Sequence, residues 1–374
     1  MKEFWKNLTR KQIILMITAV LSLLAFLILT IASNGLSGGL DTQNMAGRWS
    51  EKGGVSQISC FFSRDSGVDE NTIKGFEHAL EAALLEASIT SESPNANARL
   101  WADAYSASGK LVITGNSSQV EVNAIGVGGD FFLFHPLYLL NGSYFSGSDL
   151  MQDHIIIDED IAWQLFGSND VVGQQVTIGG VPHLIGGVIR RDSGRMNDNA
   201  GNGSSIAYVS FETMHKNLGE FAVINHYEIV MPNPVSKFAL GIVKEKIGVA
   251  ESEIEIVENT TRYQLLPLLE VLRNFGMRSM NGKAIIYPYW ENIAKGYEDI
   301  LALLLVFRFL FLLYPVILLV ILLVVLVKHR TWHFRDVKAW AERKWEVIRI
   351  KGITKKQKKK AEPPEELDEE EPWL

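Results

Sequence analysis

Two histidines at helical spacing are the first residues in this sequence whose types could support chemistry. His329 and His333 are four residues apart, so a helix would place both imidazoles on one face, as a zinc site requires. The basic residues Lys328 and Arg330 adjoin them, which disfavours a bound cation. We therefore interpret the spacing as a coincidence and expect no metal site there.

A group of carboxylates is the second candidate for chemistry. Its members are Asp149, Asp153, Asp158, Glu159 and Asp160. They lack the regular ligand spacing of an EF-hand calcium loop, and helix capping with solvated turns explains them. The sequence also contains no H-E-x-x-H or Walker A motif. We therefore expect a non-enzymatic protein without metal or cofactor, so that any coupled ATP hydrolysis would come from another chain.

Two long apolar segments, at residues 13–32 and 301–327, position everything else in the chain. A run of about 20 apolar residues matches the hydrocarbon thickness of a bilayer, so both segments are predicted transmembrane helices. A cleaved signal peptide is the alternative for the first segment. Its apolar run is longer than usual for such a peptide, and Thr30-Ile31-Ala32 is a poor cleavage site, which favours an uncleaved anchor.

Basic residues next to the two segments predict their orientation. Most of the charged residues in 1–12 are lysine or arginine. Residues 328–360 contain thirteen lysines and arginines. Because basic residues favour the cytoplasmic side, both termini are expected in the cytoplasm of a bacterial cell, with a large domain outside its plasma membrane. The chain has a net charge of −7 and its outer part is acidic, so we expect no nucleic-acid partner. Cys60 is the only cysteine, which excludes an intrachain disulfide.

The region between the two segments has the pattern of an α+β domain. Residues 33–54 are rich in Gly, Ser and Asn and predict a linker, and residues 55–298 form the predicted extracytoplasmic domain. Strands and helices predicted at each end of this domain give two β-α-β halves. The ranges are strands 55–62, 99–105, 110–114, 119–127, 225–231 and 253–257 and helices 69–88, 234–247 and 262–280.

Between the two halves, residues 128–215 predict a β-rich inserted subdomain. It contains a short strand at 154–157, a helix at 159–166 that Asp158 caps and Gly167 ends, and a hairpin at 176–189. The polar stretch 190–203 predicts a mobile loop. An aromatic patch also lies here, with Phe131, Phe132, Phe134 and Tyr138 as its main residues. It is a candidate interaction surface, although burial in the core is the favoured interpretation.

Two residues of the second apolar segment are candidates for a specific role. Arg308 is an ionisable group at membrane depth, which either pairs within a protein interface or extends towards the outer headgroups. Pro315 removes a backbone donor near the middle of the segment and predicts a kink, which provides a packing surface or a hinge.

After the second segment, residues 328–350 predict a basic amphipathic helix. Trp332, Trp340 and Trp345 are its candidate interaction residues. Such a helix suits the anionic lipid of the inner leaflet, and docking on an ATPase or a partner permease is the alternative. Residues 351–374 are basic and then acidic and predict a disordered tail.

Two stretches of the domain carry a resemblance to a known family. They are residues 126–145 (GVGGDFFLFHPLYLLNGSYF) and residues 153–187, in which Leu165-Phe166-Gly167 and Val172-Gly173 are the most specific elements. They resemble the extracytoplasmic core domain of MacB/FtsX-type ABC transporter permeases. The resemblance implies two porter-like halves, a non-catalytic role, and partners that include an ABC ATPase and a further permease, with self-association as another option.

The membrane layout departs from that family, whose members of this type carry four spans with three of them after the outer domain. One predicted span follows the domain here, so the chain resembles a two-span variant that works with partners. The expected function is that of a subunit in an ABC-type transport or mechanotransmission complex. A membrane-anchored sensor or scaffold that acts without an ATPase is the alternative, and a surface enzyme has the least support.

Overall fold

The computed structural model of the chain describes residues 9–90, 98–115, 118–147, 149–278, 283–328, 344–346 and 349. Its helices, apart from short turns, are α1 (Arg10–Gly38), α2 (Met45–Trp49), α3 (Glu70–Glu86), α4 (Phe131–Phe134), α5 (Glu159–Phe166), α6 (Phe211–Leu218), α7 (Phe238–Lys246), α8 (Leu265–Arg273) and α9 (Tyr289–Lys328). Most of the predicted juxtamembrane helix, with Trp332 and Trp340, lies outside the described residues, as do His329, His333 and the tail 351–374. Trp345 is described and its side chain is exposed.

Ten strands of the described chain form one mixed sheet. They are β1 (Val55–Phe62), β2 (Ala102–Thr114), β3 (Gln119–Gly129), β4 (Tyr138–Gly142), β5 (His154–Asp158), β6 (Gln175–Ile178), β7 (Val181–Arg190), β8 (Ile206–Ser210), β9 (His226–Pro232) and β10 (Ile254–Glu258). The order is β10-β1-β9-β2-β3-β8-β5-β7-β4, and β6 pairs with β2 and β7. The pairs β3–β8 and β5–β7 are parallel and the others are antiparallel. An α+β domain between two apolar helices is thus confirmed.

The two predicted halves share this sheet. Strand β9, from the second half, lies between β1 and β2, which come from the first half. Strand β10 then pairs with the other edge of β1. The inserted segment continues the sheet, because β8 pairs with β3. The halves are therefore interleaved, and both contribute residues to each of the two main hydrophobic clusters.

Local signals explain where the helices begin. Asp69 caps α3, since its side chain accepts a hydrogen bond from the backbone N–H of Thr72 at 2.8 Å. The buried residues of α3 are Ile73, Phe76, Leu80 and Leu84, at the spacing that puts them on one face. Asp158 caps α5 in the same way, and Gly167 ends it in the left-handed conformation at φ +69°. These sequence predictions are confirmed.

The separate strands predicted at 99–105 and 110–114 are wrong, because the structure has the single strand β2. Its residues pair with β3 without interruption from Ala104 opposite Gly129 to Thr114 opposite Gln119. Residues 106–109 lie between the two predicted strands. Pairing along the whole length of β3 keeps them extended instead, and the hairpin turns after residue 114.

The predicted linker at 33–54 is largely ordered. Helix α1 continues to Gly38, and a 3-10 turn at Asp41–Gln43 leads into α2. The buried side chain of Gln57 holds this segment, since its Oε1 accepts from the backbone N–H of Met45 at 2.7 Å and its Nε2 donates to the carbonyl of Thr42 at 2.8 Å. The Gly, Ser and Asn content indicated only a linker, because composition carries no information on the contacts of Gln57 in β1.

Two further predictions needed correction. The helix predicted at 262–280 is α8 followed by a 3-10 turn at Phe275–Met277. The loop predicted to be mobile at 190–203 contains helical turns from residue 195 to 202. Arg191 anchors it by donating to the carbonyl of Asn202 at 2.9 Å, while its Nε lies 2.7 Å from Asp158.

Helices α1 and α9 have 29 and 40 residues and are long and apolar enough to cross a membrane. The side chains in the most apolar stretch of each are not buried in the described structure. By internal contacts the chain divides into one compact unit of residues 24–310 and another of residues 1–23 with 311–374. The first unit holds the whole sheet and the outer ends of both helices.

Candidate functional site at the junction of the outer domain and the apolar helices

The outer ends of α1 and α9 meet the domain at one place, which we call the junction. Arg262, in the segment before α8, is at its centre, and its side chain is only 2 % exposed. Its guanidinium donates to both carboxylate oxygens of Glu291, at 2.8 and 2.6 Å, and to Glu298 at 2.5 Å. It also donates to the amide oxygen of Gln43 at 3.0 Å. One side chain thus binds the segment after α1 and the first turns of α9.

Burial and neighbouring charges shift the pKa values of this cluster in opposite directions. Burial disfavours the charged form of Arg262, but Glu291 and Glu298 outweigh it and raise the pKa of Arg262 above its ordinary value. Burial also raises the pKa of Glu291, although Arg262 counteracts the effect. Removing one partner of such a pair leaves an uncompensated charge, which typically costs about 3–5 kcal/mol. The junction therefore resists separation of the helix ends from the domain.

The ion network continues along α9. Glu298 also accepts from Arg278, and the Nε of Arg278 lies 2.9 Å from Asp299. Glu291 and Glu298 are seven residues apart, so both lie on one face of α9. On that face the helix is polar where it meets the domain, before its apolar run begins. Charged residues next to an apolar segment were the sequence signal for this network, and sequence analysis missed it.

The predicted aromatic patch forms the other half of the junction. Phe131 and Phe134 are buried, as the favoured interpretation predicted, and Phe132 is partly buried and stacks on Tyr144 with 4.7 Å between ring centroids. Trp290, at the start of α9, packs against this core with its ring 5.7 Å from that of Phe131. Tyr138 is 62 % exposed, and the guanidinium of Arg190 lies 5.5 Å from its ring. Most of the patch therefore packs inside the domain and holds the start of α9 against it.

Sequence analysis also missed a buried acid–histidine cluster beneath Trp290. The carboxylate of Glu228 lies 2.9 Å from His135 Nε2 and 3.3 Å from His226 Nε2, and Ser59 donates to it at 2.7 Å. The ring of Trp290 lies 4.4 Å from that of His135. The β1–β9 pairing places Ser59 opposite Glu228, and His135 reaches the cluster from the distant segment after α4.

The environment of this cluster opposes charge on His135. Burial would raise the pKa of Glu228, but the two histidines hold it well below its usual range. Burial lowers the pKa of His135, which Glu228 only partly offsets. His135 is therefore neutral at pH 7. The cluster is a polar centre within the aromatic core and lies below the entry point of α9.

Of the two predicted residues of the second apolar segment, Arg308 lies beside α1. Arg308 is half-buried, and its guanidinium lies 5.9 Å from the ring of Phe26. Its Nε has no hydrogen-bond partner among the described residues. Pro315 lies within α9 without ending it, and the hydroxyls of the neighbouring Tyr314 and of Thr18 are 2.7 Å apart.

The described residues contain no group of three His, Cys, Asp or Glu side chains able to hold an ion, and His329 and His333 lie outside them. Asp158 has a structural role, since it accepts from the N–H groups of Ile161 at 2.8 Å and Ile206 at 2.9 Å. An open acidic cleft of about 730 Å³ lies between α3 and β2 and is lined in part by Glu77, Glu81 and Asp103. Burial and Glu77 raise the pKa of Asp103.

The chain also matches a known protein family. The profile of the family described as "MacB-like periplasmic core domain" matches residues 13–237. The "Macrolide export ATP-binding/permease protein MacB" of Chromobacterium violaceum is 28 % identical over 149 residues, which are 38 % of this chain and 21 % of that protein. The chain therefore spans about a fifth of the length of this curated relative.

Two solved structures are also similar. One is the extracellular domain of the noncanonic ABC-type transporter YknZ from Gram-positive bacteria, at 17 % identity and a TM-score of 0.34, covering 54 % of this chain and 99 % of that one. The other is the periplasmic region of MacB from Actinobacillus actinomycetemcomitans, at 13 % identity and a TM-score of 0.38, covering 60 % and 94 %.

Proposed function

The chain belongs to the family of the MacB-like periplasmic core domain, and from this we propose that it serves as a non-catalytic subunit in an ABC-type transport or mechanotransmission complex. It is a membrane protein with an extracytoplasmic domain. In the proposed role, a separate ABC ATPase hydrolyses ATP, and the outer domain engages a partner protein or the substrate. A further permease subunit, or a second copy of this chain, completes the assembly.

The junction is the observation that carries this proposal. Arg262 binds Gln43, which follows α1, and Glu291 and Glu298, which begin α9. Helix α9 is continuous from Tyr289 to Lys328. The ion network is buried and costly to open. A change in the angle or height of either helix end would therefore be passed on to the sheet. This is the property that a subunit needs to transmit motion across a membrane.

The first experiment asks which partners the full chain has. Affinity purification of the tagged chain from native membranes in a mild detergent should recover an ABC ATPase and a second permease, with ATP hydrolysis in the eluate. A tagged two-span membrane protein of unrelated sequence is the control. Recovery of neither partner would contradict the proposal and favour the alternative of a sensor or scaffold, for which the acidic cleft at Asp103 offers a ligand site.

A second experiment tests whether the junction transmits motion. Arg262→Gln should keep the ATPase bound but abolish any ATP-dependent change in trypsin sensitivity of the outer domain. Lys216→Gln is the matched control, because the Lys216 side chain is 65 % exposed and forms a surface pair with Glu212. An unchanged ATP response in Arg262→Gln would show that the junction does not couple the two parts.

We also propose that both termini face the cytoplasm and that residues 328–350 contact anionic lipid of the inner leaflet. The support is the excess of Lys and Arg beside both apolar segments. Cysteines placed at residues 5 and 345 should react with a membrane-impermeant reagent only after the inner membrane is opened, whereas one at position 221 should react in intact spheroplasts. Labelling of residue 345 in closed cells would contradict this orientation.

A further inference from the structure

Helix α8 is a short helix with apolar residues on both of its faces. Its inner face buries Leu268 and Val271, which are 2 % and 7 % exposed. Its outer face leaves Leu265, Leu266 and Leu269 at 49 %, 76 % and 39 % exposure. A helix on the surface of a water-soluble domain normally has charged or polar residues on that outer face. The apolar outer face therefore indicates a second partner.

The position of α8 identifies the environment of that face. Leu268 and Val271 form a cluster with Leu301, Ala302 and Leu305 of α9. These three residues are the start of the apolar run at 301–327, which the bilayer surrounds. Helix α8 is thus held at the level where α9 enters the membrane. On other faces of the same turns of α9, Leu303 and Phe307 are exposed and belong to the lipid-facing surface.

The segment that follows α8 also exposes apolar side chains. In the 3-10 turn that follows, Phe275 is 57 % exposed and Met277 is 69 % exposed. Two exposed charged side chains adjoin the apolar residues, since Glu270 is four residues after Leu266 and Arg273 is four residues after Leu269. Pro267 lies in the first turn of α8, where backbone N–H groups have no partner within the helix, so it removes a donor that lipid could not satisfy.

We propose that α8 and the turn after it form an interfacial helix seated in the outer leaflet of the bilayer. Leu265, Leu266, Leu269, Phe275 and Met277 face the boundary between headgroups and acyl chains, and Arg273 reaches the headgroups. Interfacial helices bind membranes through their buried apolar area, and α8 offers such an area next to the span. A second protein is the less favoured occupant, because lipid already surrounds the adjoining turns of α9. This role does not depend on the proposed function and gives the outer domain its own membrane contact.

Spin-label depth measurements on the full chain in phosphatidylcholine–phosphatidylglycerol vesicles test this proposal. Labels are placed singly through Leu266→Cys, through Leu303→Cys as the lipid reference and through Phe221→Cys as the water reference, since Phe221 is 88 % exposed in the outer domain. The native Cys60 is fully buried, and the unsubstituted chain measures its background labelling. Collisions with oxygen report lipid, whereas collisions with a water-soluble nickel chelate report solvent.

At position 266 we expect a several-fold higher ratio of oxygen to nickel collisions than at position 221, approaching the ratio at position 303. A ratio equal to that at position 221 would overturn the proposal, because it would place α8 in water. Protection of position 266 from both reagents would also overturn it, since that result means that a protein covers the face. Leu266→Gln, labelled at position 221, shows whether the domain stays folded without the apolar contact.

Discussion

The hydroxyl of Ser22 donates a hydrogen bond of 2.6 Å to the backbone carbonyl of Phe311. Phe311 is four residues before Pro315, whose ring nitrogen has no hydrogen to give to that carbonyl. Inside a bilayer no water is available to take its place. Helix α1 therefore supplies the donor that Pro315 removes from α9. Sequence analysis left open whether Pro315 makes a hinge or a packing surface, and the observed bond joins α1 to the carbonyl that Pro315 leaves without its helical donor.

The first prediction concerns that bond. Ser22→Ala should lower the free energy of unfolding by about 1 kcal/mol, the usual worth of one such hydrogen bond. In a Pro315→Ala background, residue 315 regains an N–H for Phe311, so the same substitution should have little effect. Unfolding of all four variants in mixed micelles gives the coupling energy. Equal losses in the two backgrounds would show that Ser22 and Pro315 act independently.

The second prediction concerns the centre of the junction. Arg262→Met should destabilise the full chain by about 3–5 kcal/mol, because it leaves Glu291 and Glu298 buried without their cation. Lys216→Met, at an exposed pair with Glu212, should change stability by less than about 1 kcal/mol. Thermal unfolding in detergent measures both. A loss in Arg262→Met no larger than in its control would mean that the carboxylates find other partners.

The third prediction is a dependence on pH at the buried histidine. The folded protein keeps His135 neutral, since burial lowers its pKa, whereas the unfolded chain takes up a proton near the ordinary value of 6.5. Acid therefore favours unfolding, and stability should fall as the pH drops below about 6.5. In His135→Gln this part of the loss should disappear. Unfolding free energies at pH 7.5 and 5.5 test it, and identical slopes for both proteins would rule His135 out as the source.

The fourth prediction uses two glycines with contrasting surroundings. Gly142 has φ +82°, and a Cβ there would lie 2.1 Å from the carbonyl oxygen of Gly186, so Gly142→Ala should cost about 2 kcal/mol or more. Gly75 lies in α3 with open space around it, so Gly75→Ala should stabilise the domain by about 0.5–1 kcal/mol. Chemical denaturation compares them. A neutral Gly142→Ala would show that the β4–β7 pairing adapts.

Local patterns predicted the parts of the fold that depend on neighbours in the sequence. Asp69 and Asp158 cap helices as expected, and β1 spans the predicted residues 55–62. Errors arose where a distant partner decides the local conformation. Residues 106–109 are extended because β3 pairs with them, and residues 41–49 are ordered because Gln57 in β1 binds their backbone. A sequence window contains neither partner.

The sequence by itself determined the membrane character, the α+β class and the family, since apolar length, period and a few turn residues are local properties. Only the tertiary structure decided how the sheet interleaves its halves and which polar residues form the junction. Only their position before an apolar run marks Glu291 and Glu298 in the sequence. Arg262, Gln43, Glu228 and its histidines carry no distinguishing pattern. Their significance comes from burial: a charge that water would screen becomes a strong constraint once the fold excludes water around it.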